Sequence, residues 1–136
     1  MESISFRAWD KEEKKMHKVK TIEFSRRGAR IIHLAEVNSN GKGDHKRWHS
    51  SVELMQSTGL KDKNGTEIYE GDIVELKYPY DKRIKTRGII VWDIYKPCFG
   101  ISMKETTERY ELYRLTAENY LTVIGNVHRN PELLEG

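Results

Sequence analysis

The stretch Leu54–Val74, LMQSTGLKDKNGTEIYEGDIV, decides the reading of the chain. Asn64-Gly65 is its strongest signal. Both central residues of a type I′ hairpin turn need positive φ, which Asn tolerates and Gly prefers. Glu70-Gly71-Asp72 marks a second tight turn a few residues on. Val52–Gln56 at the start of the block and Ile73–Tyr78 at its end are rich in strand formers. Two turns so close together leave room only for short strands. Short strands at regular turn spacing predict an all-β barrel or sandwich.

The same pattern extends in both directions. Downstream, Pro79 interrupts ladder pairing, so Tyr80–Lys85 is expected to be a loop or hairpin tip. Gly88–Tyr95 reads as a strand, Pro97 and Gly100 bend the chain, and Ile101–Lys104 returns. Glu105–Asn119 fits a short helix or a strand. Tyr120–Val127 is β-branched and apolar. Asn130-Pro131-Glu132 is a helix start, with Asn as cap, Pro at the first helical position and Glu at the positive end. Leu133 and Leu134 would pin that turn to the core. Upstream, Ile4, Phe6 and Ala8 alternate with Ser5, Arg7 and Trp9, the period of a half-buried strand. A charged loop, Asp10–Lys15, leads to a second strand, Met16–Phe24, and the two form a hairpin. Ser25–Arg30 is a polar turn and Ala29–Val37 a third strand. Asn38–Asp44, NSNGKGD, is expected to be an exposed loop, and the polar run His45–Ser51 continues it. The expected division is therefore an N-terminal β-hairpin part, residues 1–51, and a C-terminal small β-barrel part, residues 52–136.

Composition bounds the function. The chain has 136 residues, 24 Lys and Arg against 21 Asp and Glu, and a formal net charge of +3. Mean hydropathy is −0.76, yet aromatics reach 10%, which argues for a folded domain with a charged surface. The length excludes a doubly wound nucleotide fold with a separate substrate domain. No apolar run approaches a membrane span, and no N-terminal apolar stretch follows a basic start, so no secretory signal is expected. Cys98 is the single cysteine and cannot form an internal disulfide. With the missing signal it points to a cytoplasmic setting. Its neighbours Pro97, Phe99 and Gly100 favour a buried, inert thiol over a nucleophile.

Few residues stand in catalytic or metal-binding patterns. His45 and His49 have the four-residue spacing of two ligands on one helix face. The region lacks helix signals, however, and Lys46 stands where the HExxH motif needs Glu, so both read as surface histidines. His17, His33 and His128 are isolated in sequence and read as structural or exposed. Asp10, Glu70, Asp72 and Asp93 are available for carboxylate chemistry. Nothing in their spacing selects a pair, and Asp at turns commonly bonds nearby backbone. No phosphate-binding glycine loop and no nucleophile elbow are present. No catalytic residue, metal ligand or cofactor is assigned, and the expectation is a protein that is not an enzyme. The best functional patch is Lys77–Arg87, KYPYDKRIKTR. There Lys77, Lys82, Arg83, Lys85 and Arg87 surround Tyr78 and Tyr80, a mixture suited to single-stranded DNA or RNA. The competing reading takes precedence: Lys and Pro at a strand edge or tip prevent edge-to-edge pairing. Arg26, Arg27 and Arg30 form a second, weaker basic group.

Three blocks resemble one family. Ile4–Asp10, ISFRAWD, resembles the opening of YopX-like proteins, Leu54–Val74 their most distinctive block, and Val123–Val127 with Asn130–Leu134 (VIGNV, then NPELL) their close. The match spans both ends and the middle in order. The resemblance implies phage or prophage origin and a small, self-associating β-rich protein, with no established activity and no site residues to carry over. The matching residues suit structure: Gly59, Gly65, Gly71 and Gly125 turns or bulges, and Trp9, Leu60 and Ile124 core.

The resulting expectation is a mainly β protein whose C-terminal part is a small barrel, with an SH3-like barrel as its fold analogue, and which ends in a short helical turn. Its expected function is that of a non-enzymatic phage accessory protein, acting through contacts with a phage or host protein and as a homo-oligomer, without a membrane. The alternative is nucleic-acid binding through residues 77–87.

Overall fold

Ala8 and Asp10, two residues apart, are both buried, and this alternation sets the inner face of strand β1 (Phe6–Asp10). The computed structural model describes residues 4–35, 45–77, 86–106 and 108–135. The chain divides into two compact units, Ile4–Gln56 and Ser57–Gly136.

In the first unit β1 pairs antiparallel with β2 (Lys15–Ser25), with Ala8 opposite His17 and Asp10 opposite Lys15. This is the expected hairpin. Its loop has no glycine, and Lys14 takes the left-handed position instead, at φ 56°. Strand β3 (Gly28–Leu34) follows, and β4 (Lys46–Trp48) lies beside it, with Ile31 opposite Trp48. Strand β4 falls in a stretch read from the sequence as a polar continuation of the loop. The expected loop Asn38–Asp44 lies outside the described residues. Strand β5 (Val52–Lys61) is longer than expected. Its first half pairs with β1, placing Val52 opposite Asp10, and the order in this unit is β4-β3-β2-β1-β5. Ala8, Ile32, Leu34 and Val52 form the unit's core.

In the second unit the other half of β5 pairs with β6 (Glu67–Tyr69). The turn between them is not type I′. Among the described residues Lys14 is the one non-glycine with positive φ, so Asn64 does not take the left-handed conformation; Gly65 alone does, at φ 83°. Gly65 N–H bonds to the Asp62 carbonyl at 3.0 Å and Asp62 N–H to the Thr66 carbonyl at 2.8 Å. That is a turn closed by a left-handed glycine, the three-residue hairpin solution.

Strands β7 (Asp72–Leu76), β8 (Thr86–Asp93), β9 (Cys98–Met103) and β10 (Arg109–Glu111) form an antiparallel meander. Helix α1 (Arg114–Tyr120) then returns the chain to β11 (Leu121–Asn126), which pairs with β7. The sheet order is β10-β9-β8-β7-β11. The ladder is open, with β10 and β11 at its edges. The ambiguous run Glu105–Asn119 holds both a strand and a helix. The core is built from Ile68, Val74, Ile90, Ile101, Ala117 and Leu121. Leu60 packs against it half-buried, and Trp9 in the first unit and Ile124 are also only half-buried. Among the described residues no helix is long and apolar enough to cross a membrane.

The chain ends in a 3-10 turn, Pro131–Leu134, with Pro at its start. Asn130 does not cap it. Its Oδ1 instead accepts the Asn126 N–H at 3.2 Å. A Cβ at Gly125 would sit 2.5 Å from that oxygen and 2.9 Å from the Asn130 Cβ. Gly125→Ala is expected to destabilise the protein by about 1–3 kcal/mol, because Asn130 must move and give up its bond. Thermal unfolding checks this.

Candidate functional site

The residues that carry the family resemblance are occupied within the fold. Asp62 is 4% exposed. Its Oδ1 accepts the N–H groups of Asn64 and Thr66, both at 2.9 Å, and its Oδ2 accepts the N–H of Val123 at 2.9 Å. One carboxylate therefore closes the turn and ties it to β11. Asp72 accepts the Tyr69 N–H at 2.7 Å. Asn126 Oδ1 accepts from His128 and Arg129 at 3.1 and 2.8 Å. Asp93 Oδ1 accepts from Tyr95 at 3.0 Å. Apart from the Asp62–Val123 bond, these are short-range side-chain bonds to backbone at turns, where Asp and Asn are favoured.

Asp10 has a wider role. Its Oδ1 accepts from Glu12 and Glu13 N–H at 3.0 and 3.1 Å, and Arg47 Nε donates to its Oδ2 at 2.8 Å. Arg47 also reaches Glu13 Oε1 at 3.3 Å and donates to the Lys46 carbonyl at 2.9 Å. Burial pushes the Asp10 carboxyl upward. The Arg47 bond, the two backbone donors and the Arg47 charge outweigh it and hold the group below its usual 3.8. Asp10, Glu13 and His17 each bring a ligand atom within 4.8 Å of the others, a grouping the sequence reading did not select. Arg47 pairs with both carboxylates there, so the arrangement is an ion-pair cluster that locks the β1–β2 loop to β4.

The expected nucleic-acid segment is only partly described. Tyr78, Tyr80, Lys82, Arg83 and Lys85 lie outside the described residues. Lys77 N–H bonds to the Tyr120 carbonyl at 3.1 Å, and Arg87 Nη1 donates to the Leu133 carbonyl at 3.0 Å. That bond turns the Arg87 side chain toward the C-terminal turn. His45 and His49 are exposed and sit on irregular and 3-10 backbone flanking β4, so no helix face presents them together. His33 Nε2 lies 2.7 Å from Glu23. Cys98 is half-buried, not buried as expected, because it opens β9 opposite Asp93 at the loop end of the ladder.

The edge strand β10 is exposed at all three residues, Arg109, Tyr110 and Glu111. A cavity of about 370 Å³ beside it is lined by apolar and aromatic side chains, Leu76, Ile101, Tyr110 and Tyr113 among them, and by the charged Arg109 and Glu111. Tyr113 is 59% and Leu115 74% exposed. The Tyr113 hydroxyl donates to Glu111 Oε2 at 2.5 Å, and that carboxylate raises the phenol above its usual 10.0. The sequence reading left this strip unassigned because its strand-or-helix ambiguity hid which side chains face outward.

A family model described as YopX protein matches residues 5–135. Among solved structures, the chain is similar to the crystal structure of protein EF1440 from Enterococcus faecalis. The two share 28% identity and a TM-score of 0.74, over 99% of this chain and 100% of that one. No curated protein matches.

Proposed function

Because the chain belongs to the YopX protein family, we propose that it is a non-enzymatic accessory protein of phage or prophage origin that acts in the cytoplasm through protein contacts, first of all with a second copy of itself. The observation that carries this reading is the sequence of the β10 edge. In an antiparallel pair of β10 strands centred on Tyr110, residue 109 of one copy lies opposite residue 111 of the other. Arg109 then meets the partner subunit's Glu111, and Glu111 meets the partner subunit's Arg109. The strip is self-complementary, as a two-fold interface must be, and opposite charges directly across an antiparallel pair are favourable. Tyr110, Tyr113 and Leu115 supply apolar area around the pair. The strand order supports an SH3-like reading of this unit: a four-strand meander, a helical turn, and a last strand returning to the first. Its binding character comes from the edge, since a fold of this kind licenses no function by itself.

The test is molar mass in solution by light scattering. The wild-type chain is expected at about twice its 16.0 kDa. Arg109→Glu, which places like charges opposite each other twice, is expected to be monomeric. The exchanged protein, Arg109→Glu with Glu111→Arg, is expected to dimerise again. A monomeric wild type at high concentration, or no response to either change, overturns the reading.

A further inference from the structure

Positive charge is not spread evenly over the chain. Residues 4–56 hold twelve Lys and Arg against seven Asp and Glu, a net +5, and the rest of the chain carries −2. The first unit therefore carries a net positive charge of its own, which the total of +3 conceals.

We propose that the first unit binds single-stranded nucleic acid along the edge formed by β3 and β4, with Trp48 as the stacking platform and Arg30 and Lys46 as phosphate contacts. Trp48 is 57% exposed on the edge strand β4. The Arg30 guanidinium carbon lies 5.8 Å from its ring centroid, and Arg30 Nη1 lies 3.4 Å from His49 Nε2. Cation and indole thus form one unit at the surface. Lys46 and Trp48 are two residues apart on a strand and share a face, opposite His33 and Ile31. A cleft of about 260 Å³ lined by Ile31, Lys46, Arg47 and Trp48 adjoins the ring. Arg26 and Arg27, both exposed, extend the basic surface at the β2–β3 turn. Glu23, paired across the ladder with Ile31, is bonded to His33 at 2.7 Å.

These features are chemically specific. A large exposed aromatic beside cations offers an unpaired base a face to stack on and its phosphates a countercharge. Bases inside a duplex already have both faces stacked, so the platform selects single strands. None of its residues belongs to Lys77–Arg87, and the inference goes beyond the protein-contact function without depending on it.

Fluorescence polarisation of labelled oligo(dT) and oligo(U) of roughly 15 nucleotides with the full chain tests the proposal. Binding is expected at low salt, weakening steeply as salt rises. Trp48→Ala is expected to weaken it about tenfold or more, and Arg30→Glu with Lys46→Glu to abolish it. The triple variant Lys82→Glu, Arg83→Glu, Lys85→Glu is expected to weaken binding less than Trp48→Ala does, since none of the three is a platform residue. Preference between the two oligomers separates DNA from RNA as the natural ligand. Absence of binding at low salt, a preference for duplex, or loss of binding only in the triple variant overturns the proposal. So does a Trp48→Ala protein that changes molar mass and not oligonucleotide affinity, which would make the edge a protein interface.

Discussion

Asp62→Ala is expected to lower unfolding stability by about 3–4 kcal/mol in urea titration. The carboxylate is buried and accepts three backbone N–H groups, of Asn64, Thr66 and Val123. Bonds to a charged acceptor are each worth about 1.5–3 kcal/mol, and the substitution leaves the donors with no replacement inside the protein. The sum is reduced because the turn amides are near the surface and water reaches them. The Val123 bond spans 61 residues and is the one that ties turn to sheet. Asp62→Asn is expected to lose about half as much, since its amide keeps one acceptor oxygen but turns a donor toward another donor. A change under about 1 kcal/mol for Asp62→Ala would mean that the carboxylate is not organising the turn.

The second large effect is at Asp10. Asp10→Ala removes the partner of a guanidinium only 16% exposed and leaves the Glu12 and Glu13 N–H groups without their acceptor. Breaking one side of a buried pair costs about 3–5 kcal/mol. Here Glu13 still engages Arg47, so about 2–3 kcal/mol is expected. The pH dependence follows from the lowered Asp10 pKa. A carboxyl with a folded pKa below its unfolded one binds fewer protons when folded. Its contribution is therefore complete above the unfolded value, near 3.8, and disappears as pH falls through the lower folded value. The stability gap between wild type and Asp10→Ala should be constant near neutrality and narrow below about pH 4. A gap that does not change with acid would contradict the ion-pair account.

The sequence made the fold class legible because its signals are local. Alternation in Phe6–Asp10, the glycines at positions 65 and 71, and the β-branched run before Asn126 each act within a few residues. What escaped it depends on distance in space. Asp62 reads as one charge in a polar loop until Val123 is placed beside it. Arg47 reads as surface until Asp10, 37 residues away, is seen to hold it. Strand β4 was hidden because Lys46-Arg47-Trp48 has no apolar alternation and forms only against Ile31–His33. The grouping of Arg30 with Trp48 escaped the sequence for a related reason. A run such as Lys77–Arg87 is conspicuous in one dimension, while Arg30, Lys46 and Trp48 come together only across a ladder. The Asn64-Gly65 pair named the right place for a turn and the wrong type, since Asp62 takes the backbone amides that would otherwise dictate its geometry.

The central claim is that the residues marking the family hold the fold, leaving the exposed edges for other molecules. Amide hydrogen exchange at Val123 tests it most directly. Its N–H points to Asp62 Oδ2 at an edge strand, so protection there depends on that side chain and not on a neighbouring strand. The account predicts strong protection in the wild type, and in Asp62→Ala its loss at Val123, Asn64 and Thr66 while the β7–β8 ladder stays protected. Unchanged protection at Val123 in Asp62→Ala would contradict it.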